Sequence, residues 1–344
     1  MNSLDAAESA LTTLDALERA GLTHPAQRAA LDRVTASFRV RVTPEMAGLA
    51  AQGVRAQFAP DIRELTILPE ELADPIGDAS HAPVPGLTHR YADRAILHVT
   101  KACEVYCRFC FRRETVGEAG QLAEAEFAAV LDYLAATPAV REVIFTGGDP
   151  LVLSARRLGA MLDRLEALGT LEVVRFHTRV PVVAPDRVSA GLVAALDRAL
   201  PVWMVIHVNH PDEITPAAAE ALRRLNRAGV PLLSQTVLLR GVNADADTLE
   251  ALFRKLIRHR VKPYYLHHPD LAKGTGHFRV TLAEGQRVMA ALRGRLSGIA
   301  QPLYVLDIPG GHGKVPVGPA YLRREGDHWV VTDPQGREHL YRDL

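Results

Sequence analysis

No run of apolar residues in the 344-residue sequence reaches the ~18 needed to cross a bilayer. The N-terminus has no basic flank followed by a hydrophobic segment, the mark of a secretory leader. We expect a soluble, cytoplasmic chain that makes no membrane contact. Nor does one sign of charge prevail: Lys plus Arg and Asp plus Glu number 40 each, so no net field draws the chain to nucleic acid or an anionic surface. Local charges must carry recognition. Cysteine is almost absent. Cys103, Cys107 and Cys110 are the only three, and an odd number packed into one short segment builds no disulfide framework. They belong to one site. Low-complexity and short-period repeats are missing too. The length exceeds a usual single core but suits an α/β barrel with appendages.

What is present is an alternation. Apolar residues recur at helical spacing from Leu11 to Leu22, and Pro-rich irregular sequence follows from Pro44 to Gly86, giving a helical N-terminal region over 1–87. Short β-type runs then appear at Ile96–Val99, Val143–Phe145, Val173–Phe176, Trp203–Val208, Leu232–Leu238, Tyr264–Leu266 and Leu303–Val305, with helical patterns between them. Thr215, Pro216 and Gly229 cap, start and stop one such helix, and Thr281 with Glu284 forms a capping box for another. The spacing predicts six βα units over 88–300 wrapped into a partial (β/α)6 barrel, the last strand adding to or closing it. A doubly wound open sheet is the competing topology. Residues 301–344 form a C-terminal segment whose tail, from Val315, reads as a small hairpin. Polar residues follow the strands one after another, and strand C-termini of a parallel barrel converge on one face.

The spacing Cys103-x3-Cys107-x2-Cys110 lies just past the first barrel strand. Soft thiolates suit iron–sulfur clusters or zinc. Three ligands leave one iron of a four-iron cluster open, as a catalytic centre needs. Structural zinc wants a fourth ligand, which only a histidine could supply here. Arg108, Arg112 and Arg113 interleave with the cysteines, an electropositive setting that favours thiolates over buried apolar thiols.

These residues resemble the radical S-adenosylmethionine superfamily, and Lys101–Arg113 resembles its lysine 2,3-aminomutase family in particular. The resemblance runs from about Thr88 to Pro319. It implies the radical-enzyme form of partial barrel, a [4Fe–4S] cluster on Cys103, Cys107 and Cys110, and S-adenosyl-L-methionine chelated to the open iron and cleaved to a 5′-deoxyadenosyl radical. Gly147-Gly148-Asp149 follows a strand, where paired glycines admit a close approach of backbone to a ligand or simply make a tight turn. In the family this segment meets the methionyl amino group, and Arg179, His207 and Gln235 match positions around the nucleoside and carboxylate. Each of those three serves equally well as scaffold.

Three glycines precede Lys314 in Asp307-Ile308-Pro309-Gly310-Gly311-His312-Gly313-Lys314. A lysine amine forms a Schiff base with an aldehyde cofactor. The segment fails the nucleotide-cradling pattern, since Ile308 and Val315 stand where glycine and Ser or Thr belong. The resemblance makes Lys314 the catalytic lysine that holds pyridoxal 5′-phosphate, with Tyr91 and Arg94 at its ring and phosphate. An ordinary ion pair is the other reading of Arg94. Asp270 and Asp307 would repel one another unless a cation lay between them. The family gives them the substrate's side-chain ammonium and gives Arg112 its α-carboxylate. Helix capping and a strand-end turn are their plain alternatives. His267, His268, His277 and His312 read as satisfied loop or core histidines.

The function implied is an isomerase that converts L-lysine to β-lysine by moving nitrogen from C2 to C3, reduced by a donor such as flavodoxin or ferredoxin. Rival readings are an aminomutase for arginine, or for glutamate, against which two aspartates argue, and a non-catalytic iron–sulfur redox-sensing module. The chain lacks the extra cysteines of a zinc site through which some members associate, so assembly into a homo-oligomer is open. In length it is also similar to the branch that makes β-lysine for elongation factor P, whereas Pro309–Lys314 looks like the metabolic enzymes.

Overall fold

The computed structural model describes residues 10–118 and 120–343. The first nine residues of the N-terminal region and Leu344 of the tail lie outside them. Nine strands form one sheet: β1 (Leu87–Tyr91), β2 (Arg94–Thr100), β3 (Glu142–Gly147), β4 (Val173–Thr178), β5 (Val202–His207), β6 (Leu232–Val237), β7 (Val261–His267), β8 (Leu303–Asp307) and β9 (Lys314–Pro316). They stand side by side in chain order, β2 to β8 parallel, with β1 and β9 antiparallel at the two edges. A doubly wound sheet would reverse its order partway, so that topology is excluded. Six βα units plus a seventh parallel strand curl into a half-barrel that β8 extends and does not close.

Two periodicities make this architecture. On each inner strand one phase is fully buried, for example Val143 and Phe145, Val174 and Phe176, Met204 and Ile206. That phase meets the apolar stripes of the connecting helices, such as Leu158, Leu162 and Leu165 of Ala155–Glu166 and Leu249, Leu252 and Leu256 of Ala246–Arg258. Each such side chain contributes roughly 1.5–3 kcal/mol through removal from water. Phe145 and Phe176 stack across β3 and β4 with ring centroids 4.6 Å apart. The other phase is polar: Glu142 and Thr146, Arg175 and His177, His207, Gln235, Tyr265 and His267, then Asp307. A closed barrel would fill this phase with Val and Ile. Here it lines the concave face and builds the site.

The expected caps are in place. Thr215 accepts from Ala218 N, Thr281 and Glu284 make their reciprocal box, and Gly229 turns with φ +76°. Helices Leu14–Arg19 and Arg28–Ser37 of the N-terminal region send Leu14, Leu17, Leu31 and Val34 into the same core as the barrel. The tail differs from the single hairpin expected. Asp333–Gly336 does turn between β11 (His328–Thr332) and β12 (Glu338–Tyr341), but β10 (Leu322–Glu325) pairs with β11 as well, giving a three-stranded meander. Its charged run Arg323-Arg324-Glu325 hid an exposed strand from hydrophobic patterning.

Candidate functional site

The cysteine loop leaves the end of β2 and is fastened from below. Arg108 bonds the buried Glu64 from Nε (2.9 Å) and Nη2 (2.5 Å), and donates from Nη1 to the Arg39 carbonyl (2.8 Å). Arg113 also bonds Glu64 and reaches the Gly274 carbonyl at 3.2 Å. These two arginines were expected to make the thiols electropositive. Instead their charge is matched by a fully buried carboxylate, and they tie the loop to the N-terminal region. The cation that touches sulfur is Arg179, whose Nη1 lies 2.8 Å from Cys107 Sγ. The three cysteines are half-buried and sense one another. Burial, with Asp149 close by, pushes the Cys103 thiol well up, and burial with Cys107 beside it takes Cys110 to about 11. A positively charged centre reverses that balance by binding the thiolates. Among the described residues no three His, Cys, Asp or Glu side chains close on a single ion. Three soft thiols on one loop, with the Arg179 guanidinium on Cys107, make a donor set of the chemistry that holds an iron–sulfur cluster.

Gly147 and Gly148 bring the end of β3 against this loop. Gly147 has φ +107°, and a Cβ there would lie 2.5 Å from the Thr100 carbonyl. One on Gly148 would collide with the Ala102 carbonyl. The close approach is to the backbone beside Cys103, through Gly148 N to Thr100 O (2.5 Å) and Asp149 N to Ala102 O (2.8 Å). The buried Asp149 carboxylate accepts from Thr178 Oγ1 (2.7 Å) and from the backbone N–H groups of Leu151 (3.0 Å), Arg179 (2.7 Å) and Val180 (3.2 Å). Burial raises its pKa and these donors oppose the rise. Asp149 thus joins the ends of β3 and β4.

Arg179, expected as ligand or scaffold, is held by scaffold groups, while its buried Nε has no partner among the described residues. Besides Cys107 it donates to Gln57 Oε1 (2.5 Å) and the fully buried Glu213 (2.7 Å), and it lies over the Phe58 ring. Burial alone would lower its pKa, but Cys107 and Glu213 raise it. His207 stands opposite Gln235 on the concave face, edge-on to Phe109. Among the described residues the buried Nε2 atoms of His207 and His177 have no partner. Burial, aided by Arg179 and Arg175 respectively, holds both rings neutral. Polar atoms left this way mark where a polar ligand fits.

At the other end, β8 turns back into β9 through the glycine loop. Gly310, Gly311 and Gly313 all have φ between 85° and 98°, and Gly310 N bonds the Pro75 carbonyl at 2.9 Å. The turn sets Lys314 opposite Asp307, and Nζ bonds Asp307 Oδ2 and lies 3.4 Å from His267 Nδ1. Tyr91 reaches from the opposite edge of the sheet to accept from Lys314 N at 2.9 Å. Arg94 lies 3.7 Å over the Tyr91 ring and also makes the plain ion pair, to Asp93 at 2.6 Å. Burial and Asp307 push Asp270 up to about 7, against the pull of Lys314 and Arg112. Burial would raise Asp307 too, but a hydrogen bond from His267 and the charge on Lys314 hold it well below the usual range. Arg112 is paired through Nε with Asp78 at 2.8 Å.

Sequence reasoning missed several groups. His267 was set aside as a satisfied histidine, yet it contacts Lys314 and Asp307; its phase on β7, shared with Tyr265, was the available signal. His268 is satisfied, by Tyr304 at 2.7 Å. Asp78, Gln57, Glu64 and Glu213 come from segments without pattern and carried no signal at all. Arg175, paired with Glu142 at 2.7 Å, sits on the concave phase of β4 and was legible by alternation. The two ends share one face: His207 stands in register with Gln235 and Gln235 with Tyr265, two residues before His267, which touches Lys314, while Arg179 at the end of β4 touches Cys107.

Comparison with known proteins agrees with this geometry. Residues 97–253 match the model of the radical SAM superfamily and residues 289–334 that named lysine-2,3-aminomutase. The chain is 39% identical over 305 residues to the L-lysine 2,3-aminomutase of Fusobacterium nucleatum, covering 87% of this chain and 72% of that one. It is 41% identical over 301 residues to the L-lysine 2,3-aminomutase of Clostridium subterminale, covering 86% and 72%. The glutamate 2,3-aminomutase of Clostridioides difficile is 34% identical over 327 residues, covering 93% and 77%. With its cysteine loop, curled sheet and C-terminal segment all accounted for, the chain belongs to the lysine 2,3-aminomutase family, isomerases of the radical S-adenosylmethionine superfamily.

Proposed function

We propose that this chain moves the amino group of L-lysine from C2 to C3, with S-adenosylmethionine at a [4Fe–4S] cluster on Cys103, Cys107 and Cys110 and with pyridoxal phosphate on Lys314. The observation that carries the reading is the grouping of Lys314, Asp307, His267 and Asp270 at one end of the concave face whose other end holds the cysteines. When bound, the cluster with S-adenosylmethionine supplies a hydrogen-abstracting radical, and the pyridoxal group supplies the conjugated system across which nitrogen migrates. The chain's own residues do the rest. Gly147 and Gly148 let β3 pack backbone on backbone against the cysteine loop, and neutral His207 and His177 offer ring nitrogens to a polar ligand. Arg179 offsets charge at Cys107. Tyr91 and Arg94 flank the Lys314 segment, where a guanidinium suits a phosphate. His267, neutral through burial, lies with Nδ1 beside both Lys314 Nζ and Asp307 Oδ2 and so positions that pair.

Substrate preference follows from charge. Asp270 and Asp307 make an ammonium-bearing side chain favourable and a carboxylate-bearing one repulsive, which separates this pocket from a glutamate enzyme. Arg112 then takes the α-carboxylate, sharing its guanidinium with Asp78, and charged contacts at both ends fix chain length. An external one-electron donor, flavodoxin or ferredoxin, completes the assignment, with free lysine as the substrate. The test is anaerobic turnover of the reconstituted, reduced protein with L-lysine, L-arginine and L-glutamate in separate reactions. β-Lysine alone is the expected product. β-Arginine or β-glutamate as the main product, or 5′-deoxyadenosine without any β-isomer, would overturn the substrate assignment.

A further inference from the structure

Lys314 occupies a defined place in the structure: its side-chain nitrogen rests on Oδ2 of Asp307. Around it stand His267, the Tyr265 ring at 5.5 Å and, acting at longer range, His177 and Asp270. His267 and His177 are neutral through burial, and Arg112 and Arg90 are turned to Asp78. Among the described residues Asp307 is therefore the one anion in direct contact with Lys314. It is also the carboxylate given above to the substrate's terminal ammonium. Lys314 and that substrate carry the same four-carbon ammonium side chain, so a pocket shaped for one accepts the other.

We propose that Lys314 is the internal occupant of the substrate-ammonium subsite, and that its covalent capture by an aldehyde cofactor vacates the subsite, so that a basic amino acid binds after the cofactor and not before it. This rests on the functional reading above. The step balances: Nζ bonds the carbonyl carbon, the carbonyl oxygen leaves as water with two of the ammonium hydrogens, and the third leaves as a proton. The ammonium's three donors are then gone from Asp307. Two carboxylates remain facing each other in a partly desolvated pocket, which takes either a proton or a new cation. The coupling is reciprocal, since anything that removes the Lys314 ammonium raises affinity for a ligand ammonium at the same point.

The experiment is calorimetric titration of L-lysine into the cluster-reconstituted full chain, stripped of pyridoxal phosphate, as wild type and as Lys314→Met. L-Norleucine, which lacks only the terminal ammonium, is the comparison ligand. Lys314→Met should bind lysine about tenfold tighter or more than the stripped wild type, the size expected from freeing one charge-assisted partner. It should show no such gain for norleucine, and Lys314→Met/Asp307→Asn should lose the gain. Lys314→Gln is measured alongside, and cluster absorbance reports the fold of each variant. Equal lysine affinity in stripped wild type and both variants, while cofactor-loaded wild type still converts lysine, would overturn the inference and leave the functional reading standing. Failure of the loaded wild type to convert lysine would remove both.

Discussion

Asp270 sits where burial and the neighbouring Asp307 both work against its charge, so its pKa is pushed up to about 7. The sign can be followed through two consequences. Because the folded chain holds a proton that the unfolded chain loses near pH 4, this residue makes the cofactor-free protein less stable as pH rises from about 4 to 7. Binding of an ammonium-bearing substrate moves the opposite way, improving as Asp270 ionises. We therefore expect KM for lysine to fall between pH 6 and pH 8, and Asp270→Asn to raise KM by about tenfold or more and flatten that dependence. A steady-state KM profile that keeps its slope in the variant would assign the titration to another group. The resemblance to the aminomutase family named Asp270, Asp307 and Lys314. It could not name His267, because a histidine's role depends on which atoms face it, and those come from β8 and β9.

Between β3 and the cysteine loop the contact is backbone on backbone, which is why two glycines stand at the strand's end. A methyl group on Gly148 meets the Ala102 carbonyl, and no side-chain rotation relieves it. Gly148→Ala should displace the loop that carries Cys103 and lower iron and sulfide content after reconstitution by about half or more, whereas Gly169→Ala, which meets nothing within 4 Å, should cost only about 1 kcal/mol of stability for its φ of +67°. Full iron loading in Gly148→Ala would show that the loop tolerates the shift. The seven parallel strands β2 to β8, the two capped helices and their order along the chain were legible in the sequence because burial imposes period two on a strand and a stripe on a helix. β10 was not, since an exposed charged strand has no apolar phase to read. The arginines around the cysteines were visible too, but their partner Glu64 was not: two buried guanidinium groups choose a carboxylate by proximity across 44 and 49 residues of chain.

At the scale of the molecule, the cysteine loop and the Lys314 loop have different main supports and meet at the segment Pro75–Asp78, which holds Gly310 of one and Arg112 of the other. One hangs from β2 and the N-terminal region through Glu64, the other from β8, β9 and the segment around Pro75. They should load independently. Lys314→Ala is expected to abolish the visible absorbance of bound pyridoxal phosphate while iron content and cluster absorbance stay within about a tenth of wild type, because the Lys314 side chain contacts Asp307, His267 and Tyr265 and not the cysteine loop. Loss of the cluster in that variant, or an unchanged pyridoxal spectrum, would contradict the separation. The amino-acid sequence by itself determined the chemistry on offer, three thiols, a lysine and two aspartates, and the order of strands that delivers them, since both depend on residue type and local period. Tertiary structure alone decided which charges cancel: Arg108 and Arg113 spent on Glu64, Arg179 on Cys107 and Glu213, Lys314 on Asp307. Pairing in a partly desolvated interior is set by distance and orientation between segments far apart in the chain, and no local pattern encodes either.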